Sequence, residues 1–108
     1  MGWYELDDVI FVHGGVLSSE SIAKTDIQDL HWKRTDPLTE PRHCSGKIIV
    51  CGHSVQGNGV PDLGANAICL DTGACCGGWL SCLDLNSGEC WQANEQDKIR
   101  KHNYGPLS

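Results

Sequence analysis

No apolar run in this 108-residue chain approaches the roughly 20 residues that a membrane-spanning helix needs, which excludes such a helix. The first residues, Met1-Gly2-Trp3-Tyr4-Glu5, lack a charged segment followed by an apolar one, so the chain is expected to be soluble, unexported and cytoplasmic. Positive charge is also scarce, with 8 Lys and Arg against 14 Asp and Glu and a formal net charge of -6. That balance opposes non-specific attraction to nucleic acid and to anionic lipid, so neither partner is expected. Cys-x-x-Cys pairs of the structural-zinc kind are missing, although the chain holds 7 cysteines. An odd count, with most thiols in apolar strand-like segments, fits reduced thiols better than a disulfide framework. Internal repeats are absent too, and the length is that of one domain, for which about 100 to 150 residues is usual.

What is present centres on Val9-Ile10-Phe11-Val12-His13-Gly14-Gly15. Four β-branched or aromatic residues in succession predict a strand buried on both faces, with His13 at its end. Two glycines after the histidine are expected to let the backbone turn sharply and to leave one side of the imidazole clear. The design recurs at Ile48-Ile49-Val50-Cys51-Gly52-His53, where Lys47 to Cys51 form a second buried strand. Two strands thus offer two histidines near the crevice where α/β proteins bind ligands, and imidazole suits zinc, iron and similar ions. The alternative is that each histidine simply hydrogen-bonds at its strand end.

The remaining pattern places these strands in an α+β or α/β fold, strand-rich and closing on a terminal β-hairpin. Met1 to Asp8 read as an edge segment and Val16 to Ser21 as a surface loop. Thr25-x-x-Gln28 matches a capping box and predicts a helix from about Asp26 to Lys33, ended before Pro37. Arg34 to Gly46 is loop, and Ser54 to Gly64 is a turn-rich excursion of the kind that lines a site. Ala67 to Leu70 form a third strand, and Trp79 to Leu85 and Cys90 to Ala93 form a hairpin around Asn86-Ser87-Gly88-Glu89. Beyond Asn94 the chain is polar and expected to fray, which makes residues 1–94 the folded portion and 95–108 a polar tail. Cys75 and Cys76 are adjacent, and in a strand they would point to opposite faces.

The segments Phe11-Val12-His13-Gly14-Gly15, Leu30-His31-Trp32-Lys33-Arg34 and Cys51-Gly52-His53-Ser54 precede Ile68-Cys69-Leu70-Asp71-Thr72-Gly73-Ala74 and Gly77-Gly78-Trp79-Leu80. In that order, from about Tyr4 to Ala93, they resemble calcineurin-like metallophosphoesterases, in particular the bacterial and phage members of the serine/threonine phosphoprotein phosphatase branch. The resemblance implies part of a β-sandwich flanked by helices. It also implies a two-metal centre of manganese, iron or zinc that polarises a phosphate ester and activates a bridging water. By the same resemblance His13 and His53 ligate the second metal, and Arg34 grips phosphate oxygens through its guanidinium fork. By its surroundings alone, Arg34 reads as a solvated charge beside Lys33.

The departures are large. The family's Gly-Asp-x-His, Asp-Arg and Asn-His motifs are absent from the 108 residues, and Val55 stands where other branches carry a further histidine. The chain therefore resembles the C-terminal half of such an enzyme, with an incomplete metal site. Two neutral imidazoles hold a divalent ion weakly, because carboxylates normally neutralise and bridge such a pair of ions. The expected outcome is a hydrolase-type segment inactive by itself, pairing through exposed sheet edges with an N-terminal half or a second copy. Two other readings come from different classes: a non-catalytic interaction module that pairs with a separate N-terminal half, and a thiol-rich metal-binding domain built on Cys69 to Cys90.

Overall fold

The computed structural model describes residues 2–107. It is strand-rich, with two sheets and very little helix. Among the described residues no helix is long and apolar enough to cross a membrane. The chain divides into two compact units: the residues through Ser54 together with Asp62–Cys69, and Val55–Pro61 together with the residues from Leu70 onward.

The first unit carries a five-stranded sheet. In chain order its strands are β1 (Trp3–Glu5), β2 (Val9–Val12), β3 (Ile48–Cys51), β4 (Asp62–Leu63) and β5 (Ala67–Cys69). The spatial order is β1-β2-β3-β5-β4, with β2, β3 and β5 mutually parallel and the two outer strands antiparallel to their neighbours. The central strands are continuously apolar because both faces are covered. Ile10, Val12, Ile49, Cys51, Ala67 and Cys69 form the core with Val16, Ile22 and Leu30, and Trp3 packs against it. Val16 is thus a core residue, although it opens a segment that reads as surface loop.

One short helix, α1 (Ile27–Trp32), lies on the path from β2 to β3. Its cap is Asp26 rather than Thr25: the Asp26 carboxylate accepts from the Gln28 backbone N–H at 2.8 Å. The Thr25 hydroxyl instead donates to the Ser21 carbonyl at 3.3 Å. An aspartate caps at least as well as a threonine, so the box shifts by one residue. Leu30 anchors the helix by burial, whereas Ile27 remains exposed.

The second unit is an antiparallel meander of β6 (Leu80–Leu83), β7 (Glu89–Ala93) and β8 (Ile99–Asn103). The hairpin expected around Asn86-Ser87-Gly88-Glu89 is therefore present but not terminal. The residues just beyond Asn94 do not fray: β8 pairs with β7 over Glu89↔Asn103 to Ala93↔Ile99. The reason is polar rather than apolar. Arg100 Nε donates to Gln92 Oε1 at 2.6 Å, His102 Nε2 bonds the same oxygen at 2.9 Å, and Lys101 pairs with Glu89 at 3.2 Å.

The β6–β7 turn rests on Asp84, whose carboxylate accepts from the backbone N–H of Asn86 at 2.9 Å and of Ser87 at 3.3 Å. These bonds, Ser87 first, hold the Asp84 carboxyl below its ordinary value of 3.8. Their stabilisation is complete above that ordinary value and is lost as pH falls through the lower folded value. An acid titration followed through the Trp91 amide signal is expected to show the turn opening in that acidic range. In Asp84→Asn, which keeps an acceptor without a titrating charge, this component disappears; an unchanged acid transition would contradict the assignment.

Candidate functional site

Parallel pairing fixes the two histidines relative to each other. Phe11 lies opposite Val50, so β2 and β3 end at the same edge of the sheet. There the Gly52 N–H donates to the His13 carbonyl oxygen at 3.0 Å. The His13 and His53 ring centroids are 5.1 Å apart, with planes inclined by 59°. Two imidazoles sharing one ion, with metal–nitrogen bonds near 2.1 Å and a roughly tetrahedral angle, have ring centres about 5 Å apart. The separation of the two ring centres matches that spacing. His13 is exposed and His53 half-buried.

His53 occupies the left-handed region at φ 63, and the Ser54 N–H donates to the Gly52 carbonyl at 2.6 Å across it. This makes a three-residue turn centred on a non-glycine residue, a conformation that costs about 1 to 2 kcal/mol. Strain of this sort gathers where a side chain is held for a task. The Trp32 ring stands edge-on to His53, with centroids 5.7 Å apart and planes at 87°. Sequence reasoning assigns Trp32 no role; its place two residues before Arg34 in the segment Leu30 to Arg34 was the available signal.

Gly14 and Gly15 have a purpose different from the turn expected of them. Neither has positive φ among the described residues. Instead, the Gly14 N–H donates to the Leu30 carbonyl at 2.7 Å, and the Gly15 N–H donates at 3.2 Å to the Asp29 carbonyl, which also accepts the Lys33 N–H at 3.1 Å, so both glycines bond the end of α1. A Cβ on Gly14 would stand 2.8 Å from the His31 carbonyl carbon and 2.9 Å from both the Trp32 nitrogen and the Lys33 oxygen. A Cβ on Gly15 would stand 2.7 Å from the Thr35 hydroxyl oxygen. The glycines are where the helix end docks beside His13.

Docking also positions the chain around Arg34. Thr35, buried, donates its hydroxyl to the Gly14 carbonyl at 2.9 Å, and the Lys33 side chain lies over Gly15. Arg34 is held between them by its backbone and is itself exposed. Lys33 is engaged with Glu40 at 3.6 Å, while Arg34 has no ion-pair partner among the described residues. The structure therefore unites His13 with His53 directly and brings Arg34 to the same neighbourhood through its flanking residues, without fixing its guanidinium.

Among the described residues no three His, Cys, Asp or Glu side chains come together as a metal-binding group. Contact with Cys69, then burial, pushes the Cys51 thiol up, and burial pushes up that of Cys90. Part of the Ser54 to Gly64 excursion, from Val55 to Gly59, lines a cavity of about 340 Å³ within the second unit. Comparison with protein-family models, curated proteins and solved structures finds no match to this chain.

Proposed function

We propose that this chain carries half of a calcineurin-like metallophosphoesterase site: a two-histidine hold on one divalent cation, with an arginine that receives the phosphate. The observation that supports it best is the 5.1 Å separation of the His13 and His53 rings at the shared end of two parallel strands. A bound cation would polarise a phosphoryl oxygen, and in a two-metal centre it would help to activate water. The chain's own residues perform the preparatory tasks. The strands and the strained turn at His53 hold the two imidazole nitrogens, and Trp32 covers one side of that ring. The exposed guanidinium of Arg34 offers two parallel N–H donors to phosphate oxygens.

Bridging carboxylates and a general acid are not supplied by the motifs this chain contains, and in this proposal they come from a partner segment. The outer strand β1, with Tyr4 60% exposed, offers a backbone edge on which such a segment could pair.

The reading is tested with inorganic phosphate and nitrophenyl phosphate in the presence of Mn²⁺. Phosphate is expected to bind, and both His13→Ala and Arg34→Ala are expected to weaken that binding about tenfold or more, the equivalent of about 1.4 kcal/mol. Nitrophenyl phosphate is expected to be hydrolysed no faster than in buffer. Phosphate binding indifferent to both variants overturns the proposed site. Turnover abolished by His13→Ala overturns the claim of half a site.

A further inference from the structure

Cys75 and Cys76 do not lie in a strand, and their side chains do not point apart. They close a single 3-10 turn, Ala74–Cys76, bracketed by Gly73 at φ 81 and Gly77 at φ 80. Both thiols are exposed, and their sulfurs are 3.5 Å apart. The bracketing glycines explain the geometry: two left-handed residues reverse the chain on either side of the pair and direct consecutive side chains to one side.

The spacing restricts what the two sulfurs can hold. An ion with bonds to sulfur of about 2.3 Å spans 3.5 Å at a bond angle of about 100°, whereas a linear two-coordinate ion needs sulfurs about 4.6 Å apart. A bent, pyramidal centre fits and a linear one does not. Because no third His, Cys, Asp or Glu joins the pair among the described residues, the centre must be content with two protein sulfurs. An internal disulfide is the competing fate. Consecutive Cα atoms are about 3.8 Å apart across a trans peptide. A disulfide usually wants about 4.4 Å or more, so ring closure here is strained and the dithiol is favoured.

We propose that Cys75 and Cys76 form a chelating dithiol site for a trivalent arsenical bearing one organic substituent. Such a centre takes two sulfurs and no more, with a pyramidal angle. Cys76 also lines the cavity of about 340 Å³ formed with Val55, Thr72 and Trp79, which offers the organic substituent an apolar wall. For an arsenoxide the step is balanced without an oxidant. Two S–H bonds break and two As–S bonds form, the arsenic oxygen leaves with both protons as one water, and arsenic stays trivalent. The Cys76 thiol is pushed up by its hydrogen bond to Cys75 and then by the charge there, so Cys76 enters as the protonated thiol. The arsenoxide oxygen accepts those protons itself.

The test uses the full chain with phenylarsine oxide, read by intact mass and peptide mapping, and by displacement with excess ethanedithiol. One phenylarsenic group per chain is expected, bridging Cys75 and Cys76. Cys75→Ser and Cys76→Ser should each weaken binding by about 100-fold or more, because a chelate gains that much from effective concentration. Cys82→Ser, which removes another exposed thiol, should leave it unchanged. An adduct that maps to other cysteines, or that survives either of the first two substitutions at full affinity, overturns the proposal.

Discussion

Gly14→Ala is expected to lower stability by about 2 to 3 kcal/mol, at the upper end of what overpacking costs. The added methyl meets backbone on three sides, at 2.8 to 2.9 Å from atoms of His31, Trp32 and Lys33, and backbone cannot step aside as a flexible side chain would. The end of α1 must lift, breaking the bonds from the Gly14 and Gly15 N–H groups to Leu30 and Asp29. Thermal melting should show a fall of roughly 10 °C or more, taking about 4 to 8 °C per kcal/mol for a domain near this size. Because Trp32 is carried on the displaced turn, its edge contact with His53 is lost as well, and the nuclear Overhauser effects between the two rings should vanish. Melting within about 1 °C of the parent, with that contact intact, would show that the glycine is not needed for close approach.

Gln92→Ala should cost a similar amount, about 3 kcal/mol, for a different reason. Gln92 is 1% exposed and uses its whole amide: Nε2 donates to the Gly59 carbonyl and the Ser81 hydroxyl, both at 2.8 Å, and Oε1 receives Arg100 and His102. Arg100 adds a bond from Nη2 to Gly59 and lies 4.0 Å over the centre of the Trp79 ring. Removing the amide therefore takes a partner from half-buried polar groups on β6 and β8 and releases the loop at Gly59. Gln92→Leu separates hydrogen bonding from volume. It refills the space yet is expected to cost about 2 kcal/mol, since those groups still lack that partner. A Leu variant as stable as the parent would mean that the network contributes nothing net.

That network is also where the sequence was least legible. β2, β3 and β5 were readable because burial on both faces leaves an unbroken apolar run; β2 has the expected bounds Val9–Val12, and β3, expected from Lys47 to Cys51, starts one residue later at Ile48. β8 carries one large apolar residue, Ile99, which is 79% exposed, and its inward residues are Arg100 and His102. Nothing in a hydrophobic pattern marks such a strand; the polar partner that makes it one, Gln92, is 8 residues away on β7. The turn before it was the better clue. Asn94 accepts from the N–H groups of Gln96 and Lys98, and Asp97 adopts φ 61, both habits of short polar side chains.

At the candidate site, the histidines were legible from the repeated strand-Gly-His arrangement, and their proximity followed from parallel pairing. The role of Gly14 and Gly15 was not, because it depends on a helix end that arrives from more than ten residues away. The same is true of Cys75 and Cys76, whose convergence depends on a turn between flanking glycines that no strand pattern describes. Local pattern encodes elements well and encodes the contacts between them poorly.

The central claim, one cation shared by two imidazoles, is tested most directly by titrating Mn²⁺ into the parent and into His53→Gly while observing histidine ring resonances. Manganese suits the test because it is hard and avoids thiols. His13 and His53 are expected to broaden together at one midpoint, ahead of His31, His43 and His102. In His53→Gly the His13 response should weaken about tenfold or more. Its melting should stay within about 1 kcal/mol, because the relief of left-handed strain offsets the entropy glycine adds to the unfolded chain. Separate midpoints for the two rings, or a His13 response unchanged by His53→Gly, would contradict the account.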